Sequence, residues 1–189
     1  MSFDIQKLVR SHIADLQPYS SARDEFDPVE GEVVYLDANE NPFYNGVNRY
    51  PDPQQRKLKE VIAMRRGLAA NQLLLGNGSD EVLDLIFRAF CIPNQDNIIV
   101  MPPTYGMYKV LANINCISLY EVPLSNDFQL VTKDILNHIS SRTKAIFLCS
   151  PNNPSGNSFH RADILSLLKS FDGLVAVSYT HLTLPTTGI

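Results

Sequence analysis

The sequence predicts a doubly wound α/β domain built on a mostly parallel sheet. Short segments that are apolar throughout alternate with amphipathic helical segments over residues 54–177. Strands that are apolar on both faces are typical of parallel sheets covered by helices on each side. With 189 residues, of which 44% are hydrophobic and 19% charged, the chain is long enough to form one such core.

The elements are predicted from the spacing of apolar residues. Helices with one apolar face are expected at 54–66, 80–91, 105–113, 132–139 and 162–170. Strands are expected at Leu73–Leu75, Asn97–Met101, Ser118–Val122, Lys144–Cys149 and Leu174–Val177. Residues 1–50, rich in Pro, Asn, Asp and Tyr, fit this alternation poorly. They are predicted to form an arm that precedes a partial large domain over residues 51–177.

Charge, cysteine content and hydropathy exclude several classes of partner. The formal charge is -4 and the basic residues are spread along the chain, so nucleic acid is not expected as a partner. The N-terminus lacks the features of a signal peptide and no apolar run could span a bilayer, so no membrane partner and a cytoplasmic location are expected. The three cysteines suit buried positions in a reducing compartment. The four histidines show no metal-ligand spacing with them, so no metal site is expected.

The run Gly76-Asn77-Gly78-Ser79-Asp80-Glu81 separates a predicted strand from a predicted helix. Its glycines allow a tight turn, and the free N–H groups at the start of a helix suit a phosphate. A plain strand-turn-helix junction is the alternative. Asp80 and Glu81 favour that alternative, because carboxylates are stabilised at a helix N-terminus and would repel a phosphate unless they turned away.

Two further loops follow predicted strands, at the edge where parallel sheets bind ligands. Pro102-Pro103-Thr104-Tyr105 would hold the Tyr105 ring where it can stack on a planar cofactor, with a core tyrosine as the alternative. Ser150-Pro151-Asn152-Asn153-Pro154-Ser155-Gly156 places two asparagine amides between two prolines. Because proline restricts the residue before it, these amides are expected to be rigidly aimed, with an ordinary surface turn as the alternative.

Two polar segments earlier in the chain, Leu36–Pro42 and Asn48–Pro53, have no core pattern, and a loop explains each one alone. Together with the loops described above, their order and spacing resemble the histidinol-phosphate aminotransferase family, whose members are fold-type I enzymes that use pyridoxal 5′-phosphate (PLP). Leu-Asp-Ala-Asn-Glu-Asn-Pro and Gly-Asn-Gly-Ser-Asp-Glu are close to this one family. Asn-Pro-Ser-Gly marks the wider aminotransferase superfamily. The resemblance runs from Leu16-Gln17-Pro18-Tyr19, with Ser21-Ala22-Arg23, to Gly156.

The resemblance implies PLP as the cofactor and the large domain of the PLP-dependent transferases as the fold. The backbone amides around Gly78, Ser79 and Asp80 would hold the PLP phosphate. Tyr105 would stack on the pyridine ring, and Asn153 would form a hydrogen bond with the 3-hydroxyl oxygen.

The resemblance also implies shared sites and a substrate. Tyr50 would reach the phosphate of the neighbouring subunit's cofactor, which implies a homodimer. Tyr19 and the residues Asn39, Glu40 and Asn41 would belong to the substrate-side wall. The implied reaction converts L-histidinol phosphate and 2-oxoglutarate into imidazole-acetol phosphate and L-glutamate, in histidine biosynthesis.

The end of the chain departs from the family pattern. In the family, an Asp-Glu-Ala-Tyr-like run follows the Val-rich strand, whereas Ser178-Tyr179-Thr180-His181 follows it here. The aspartate that holds the pyridine nitrogen protonated and the Schiff-base lysine, which family chains carry in their second half, are missing. No catalytic residue is therefore assigned, and the chain alone is expected to be inactive. Residues 178–189 are predicted to be a non-native tail.

The sequence leaves two alternatives to this interpretation. One is another fold-type I PLP enzyme, such as a threonine-phosphate decarboxylase or an aromatic aminotransferase. The other, from a different class, is a non-catalytic chain, either a fragment without function or a binding module that keeps contacts to PLP without carrying out chemistry.

Overall fold

The structure, a computed structural model, describes residues 4–20 and 33–179. Its helices are α1 (Ser11–Ala14), α2 (Arg56–Arg66), α3 (Ser79–Phe90), α4 (Met107–Ile114), α5 (Thr132–Asn137) and α6 (Arg161–Ser170). Its strands are β1 (Asn97–Val100), β2 (Ser118–Glu121), β3 (Thr143–Cys149) and β4 (Leu174–Ser178). Short 3₁₀ turns lie at Ile5–Lys7 and Ala70–Gln72. Ser21-Ala22-Arg23 and residues 180–189 of the proposed tail lie outside the described residues.

The four strands form one parallel sheet in the order β2-β1-β3-β4. β1 and β3 lie at its centre and are almost entirely buried, whereas β2, at one edge, is largely exposed. A central parallel strand needs apolar residues on both faces, and Ile98–Val100 and Ala145–Cys149 provide them. The predicted parallel sheet is confirmed.

Successive residues of the central strands enter two different cores. Ile98 and Phe147 pack in a core with residues of α3 and α4. Ile99 and Ile146 pack in a second core with residues of α5 and α6. Because neighbouring side chains of a strand point to opposite faces, one pair of helices covers each face of the sheet. This arrangement confirms the doubly wound α/β fold.

The prediction of a strand at Leu73–Leu75 is wrong. These residues follow the Ala70–Gln72 turn and belong to none of the strands in the described part of the chain. Leu74 is 58% exposed. A short apolar run resembles a buried strand in the sequence, but it becomes one only when a neighbouring strand pairs with it.

Two helices begin later than predicted. The Asp52 carboxylate accepts hydrogen bonds from the N–H groups of Gln54 and Arg56 at 2.9 and 2.8 Å, so a turn comes before α2. Helix α4 begins at Met107 rather than at Tyr105. Tyr105 therefore lies in the loop after β1 and is not a residue of the helix face.

The chain divides into two compact units. Within the described residues, the first unit comprises 4–14 and 76–179 and contains the sheet. The second comprises 15–20 and 33–75 and contains α2. The two units are defined by contacts between residues, whereas the segments 1–50, 51–177 and 178–189 were predicted from the composition of the sequence. The unit boundaries, after residues 14 and 75, differ from those of the predicted segments. Ser178 is the last residue of β4.

Candidate functional site

The turn into α3 is built around Gly78. Gly78 has φ +84° and ψ 167°, a conformation that is essentially restricted to glycine. It occupies the N-cap position of α3, and no side chain caps the helix there. A β-carbon at Gly78 would meet no atom within 4 Å, so the space beside it is open. The helix N-terminus, with the N–H groups of Ser79 and Asp80, is thus suited to bind an anion.

The two carboxylates that follow are both engaged by local donors. Asp80 accepts a hydrogen bond from the Tyr105 hydroxyl, which lies 3.1 Å from Oδ1 and 3.2 Å from Oδ2. Glu81 accepts a hydrogen bond from the N–H of Asn77 through Oε2. Each donor offsets part of the negative charge that would otherwise oppose an anion at this helix end.

Tyr105 connects the loop after β1 to the start of α3. Its ring is half-buried, and its hydroxyl donates to Asp80. Burial, together with the hydrogen bond to the Asp80 carboxylate, raises the pKa of the Tyr105 phenol. The phenol therefore stays protonated at neutral pH and keeps donating. This bond joins the predicted ring-stacking residue to the predicted phosphate-binding turn.

Tyr108 provides a rigid base beneath Tyr105. Its side chain is fully buried, and its ring meets that of Tyr105 edge-on, with centroids 5.6 Å apart. The Tyr108 ring also packs on Phe147 of β3 at 5.2 Å, and Phe147 stacks on Phe87 of α3 at 5.1 Å. Such aromatic contacts each contribute about 0.5–1.5 kcal/mol beyond area burial. The sequence does not predict that Tyr108 supports Tyr105, because in the sequence Tyr108 is only one apolar residue of a predicted helix.

Asn152 links the loop after β3 to the loop after β1. Its side chain is buried, with 2% of the residue exposed. Its Nδ2 donates to the carbonyl of Pro103 at 2.9 Å and to Oγ of Ser155 at 2.7 Å. Asn153, the residue predicted to contact the cofactor, is exposed. The two asparagines therefore differ in their surroundings, and the sequence gives no signal that distinguishes them.

The remaining predicted site residues lie in the second unit. Glu40 accepts hydrogen bonds from Arg49 and from the N–H of Tyr50, and the Tyr50 hydroxyl lies 3.4 Å from the carbonyl of Asn39. Tyr50 and Asn39 to Asn41 are thus brought together as one cluster. Tyr19 is 91% exposed.

The described residues contain no helix that is long and apolar enough to cross a membrane. Nor does this part of the chain bring three or more His, Cys, Asp or Glu side chains into an arrangement that could hold a metal ion.

Comparison with known proteins assigns the chain to a family. The pattern described as aminotransferase class I and II matches residues 36–178, which include parts of both units and every predicted site residue except Tyr19. The chain belongs to the aminotransferase class I and II family. This membership agrees with the parallel sheet and with the position of the loops that follow β1 and β3.

Curated members of this family are closely similar in sequence. A histidinol-phosphate aminotransferase of Flavobacterium psychrophilum is 58% identical over 187 residues, covering 99% of this chain and 54% of that protein. One from Flavobacterium johnsoniae is 56% identical over 182 residues, covering 96% of this chain and 52% of that protein. The chain thus spans about half the length of the curated relatives it matches.

A solved structure of another aminotransferase has the same fold. N-Succinyldiaminopimelate aminotransferase from Mycobacterium tuberculosis superposes with a TM-score of 0.63 at 23% sequence identity. The superposition covers 70% of this chain and 38% of that protein. The similarity shows that the two proteins share the arrangement of the helices and the sheet over the superposed part.

Proposed function

We propose that this chain is the amino-terminal part of a histidinol-phosphate aminotransferase and that it forms one wall of the PLP site. The central observation is the hydrogen bond between Tyr105 and Asp80, which joins an aromatic ring to the uncapped start of α3. Relatives with this name are 58% and 56% identical to the chain, which supports the choice of substrate. The proposed reaction transfers the amino group between L-glutamate and imidazole-acetol phosphate.

The residues of the first unit fit PLP. The uncapped N-terminus of α3 and the open space at Gly78 suit the phosphate, with the amides of Gly78, Ser79 and Asp80 as donors. Tyr105, fixed by Tyr108 and Asp80, would present its ring to the pyridine. The exposed Asn153 amide would meet the 3-hydroxyl oxygen. PLP, when bound, supplies the electron sink that transamination requires.

The second unit contributes the proposed contacts across a homodimer. Tyr50, 66% exposed, would turn its hydroxyl away from the Asn39 carbonyl, 3.4 Å distant, and donate to the phosphate of the neighbouring subunit's cofactor. Tyr19, Asn39 and Asn41 would form the substrate-side wall, to which Glu40 belongs by its position in the same segment. We also propose a cytoplasmic location. It is supported by the name of the relatives, histidinol-phosphate aminotransferase, which describes an enzyme that acts on a small phosphorylated metabolite.

The 189-residue chain alone is proposed to be inactive. Position 178, where the family pattern has the aspartate for the pyridine nitrogen, is a serine that ends β4 beside Cys149 of β3. A serine hydroxyl cannot hold the pyridine nitrogen protonated as a carboxylate does. No lysine of this chain is assigned to the Schiff base.

Sequencing the source DNA through and beyond the codon for Val177 tests the proposal. We expect the natural frame to continue into an Asp-x-Ala-Tyr run and a later Ser-Lys segment, and its product to transaminate histidinol phosphate with 2-oxoglutarate. Under borohydride reduction with PLP, the 189-residue chain should give no specific pyridoxyl-lysine. A natural frame that encodes 178–189 as printed, or a longer product that does not act on histidinol phosphate, would contradict the proposal.

A further inference from the structure

Glu40 is a buried carboxylate within an exposed segment. Its side chain is 4% exposed, whereas Asn39 and Asn41 on either side of it are exposed residues. Burying a charged carboxylate is costly unless donors replace the water that it loses. The bonds that Glu40 makes should therefore explain its place in the structure.

Each carboxylate oxygen of Glu40 accepts from a different residue of one dipeptide. Oε2 lies 2.7 Å from Nη1 of Arg49, and Oε1 lies 2.8 Å from the main-chain N–H of Tyr50. Both bonds are charge-assisted, and the first joins two opposite charges. Since one donor is a main-chain group, Glu40 fixes the backbone of Tyr50 and does not merely neutralise Arg49.

Two longer hydrogen bonds also join residues 39–41 to residues 48–50. The Tyr50 hydroxyl donates to the carbonyl of Asn39 at 3.4 Å, and Nδ2 of Asn48 donates to the carbonyl of Asn41 at 3.1 Å. Glu40 is thus the charged centre of a clasp between residues 39–41 and 48–50.

We infer that Glu40 is a positioning residue that holds Tyr50 in place through its main-chain N–H, and not a residue that touches substrate. The bonds to Arg49 and to Tyr50 use both carboxylate oxygens, while the Tyr50 side chain is left largely exposed. A fixed backbone beneath an exposed ring suits a tyrosine that must reach a ligand. The inference rests on the proposed contact between Tyr50 and a PLP phosphate.

Hydrogen exchange of the Tyr50 amide tests the clasp without any cofactor. In Glu40→Ala, exchange at this amide should become about 10- to 100-fold faster, because a hydrogen bond to a charged group is lost. Glu40→Gln should give a smaller increase, since its amide oxygen can still accept from Tyr50. Glu60→Ala, at an exposed glutamate of α2, is the matched control and should leave the rate unchanged. Protected amides in α2, which belongs to the same unit as Glu40 and Tyr50, show that this unit is folded in each variant.

Binding of 4′-deoxypyridoxine 5′-phosphate, which has the PLP phosphate but no aldehyde, tests whether Glu40 acts through Tyr50. Glu40→Ala should weaken binding of this compound when Tyr50 is present. In the Tyr50→Phe variant, adding Glu40→Ala should cause no further loss of binding. An equal loss in both backgrounds, or an unchanged Tyr50 exchange rate in Glu40→Ala, would overturn the inference. Faster exchange with no effect of Tyr50→Phe on binding would support the clasp and contradict the proposed role of Tyr50.

Discussion

Asn152 and Asn153 are adjacent residues with opposite surroundings. Asn152 is buried and donates one hydrogen bond to Pro103 in the loop after β1 and one to Ser155 in its own loop after β3, whereas Asn153 is exposed. The first asparagine is therefore placed to hold the candidate site together, and the second is placed to meet a ligand.

Substituting each asparagine by alanine separates these two roles. Asn152→Ala should lower the free energy of unfolding by about 1–3 kcal/mol, because it leaves the Pro103 carbonyl and the Ser155 hydroxyl without this donor. Asn153→Ala, the matched control, should change that free energy by no more than about 0.5 kcal/mol. Urea unfolding of both variants measures the difference. Equal effects would show that Asn152 does not connect the two loops.

At this scale the sequence predicts residue types better than their roles. Tyr105 and Gly78 were identifiable because each lies in a loop directly after an apolar segment. The bond from Tyr105 to Asp80 could not be predicted, because it joins a loop residue to a residue of the first turn of α3 that lies 25 positions away in the sequence. Tyr108 and Asn152 support the site through packing and buried hydrogen bonds, which leave no pattern in a single sequence.

The turn into α3 is the element on which the proposed phosphate site depends. Gly78 has φ +84° and ψ 167°, whereas Gly106 before α4 has the helical values of -65° and -23°. Neither position has an atom within 4 Å of an added β-carbon. The two glycines therefore differ in backbone strain and not in available space.

Alanine at each glycine measures the cost of this turn. Gly78→Ala should lower the free energy of unfolding by about 1–3 kcal/mol, because alanine is strained in that region of φ/ψ space. Gly106→Ala should be neutral or stabilise by up to about 1 kcal/mol, because it restricts the unfolded chain. Thermal unfolding of the two variants gives the comparison. A Gly78→Ala variant as stable as Gly106→Ala would show that the turn is not fixed in this conformation.

Among the elements, the central strands β1 and β3 were predicted from their burial on both faces. β1 and β3 lie between two cores, so their apolar runs follow directly from their position. Leu73–Leu75 has a similar composition and forms no strand. Helix α2 begins at Arg56, after a turn in which the Asp52 carboxylate accepts from the N–H groups of Gln54 and Arg56. Asp52 lies before the periodic segment and does not contribute to its pattern.

The 189-residue chain as a whole exposes apolar surface. Phe43, Tyr44, Val47 and Met64 are each at least 79% exposed. Among the described strands, β4 is paired on one side only, with β3. Exposed apolar residues and open sheet edges favour association between chains.

We expect the chain to self-associate as its concentration rises. Sedimentation velocity should show larger species between about 1 μM and about 100 μM. Phe43→Lys should reduce this association, because it places a charge on the exposed surface, whereas Lys57→Arg should not change it. A monodisperse species with a cooperative thermal transition over the same range would contradict this expectation.

Binding of 4′-deoxypyridoxine 5′-phosphate to the dilute 189-residue chain tests the central claim most directly, namely that this chain forms one wall of a PLP site. Fluorescence titration should show saturable binding that weakens about 5-fold in Tyr105→Ala, as expected for the loss of about 1 kcal/mol of ring stacking. The unphosphorylated 4′-deoxypyridoxine should bind more weakly, because the start of α3 would no longer have an anion to hold. Equal binding of the two compounds, or no effect of Tyr105→Ala, would contradict the claim.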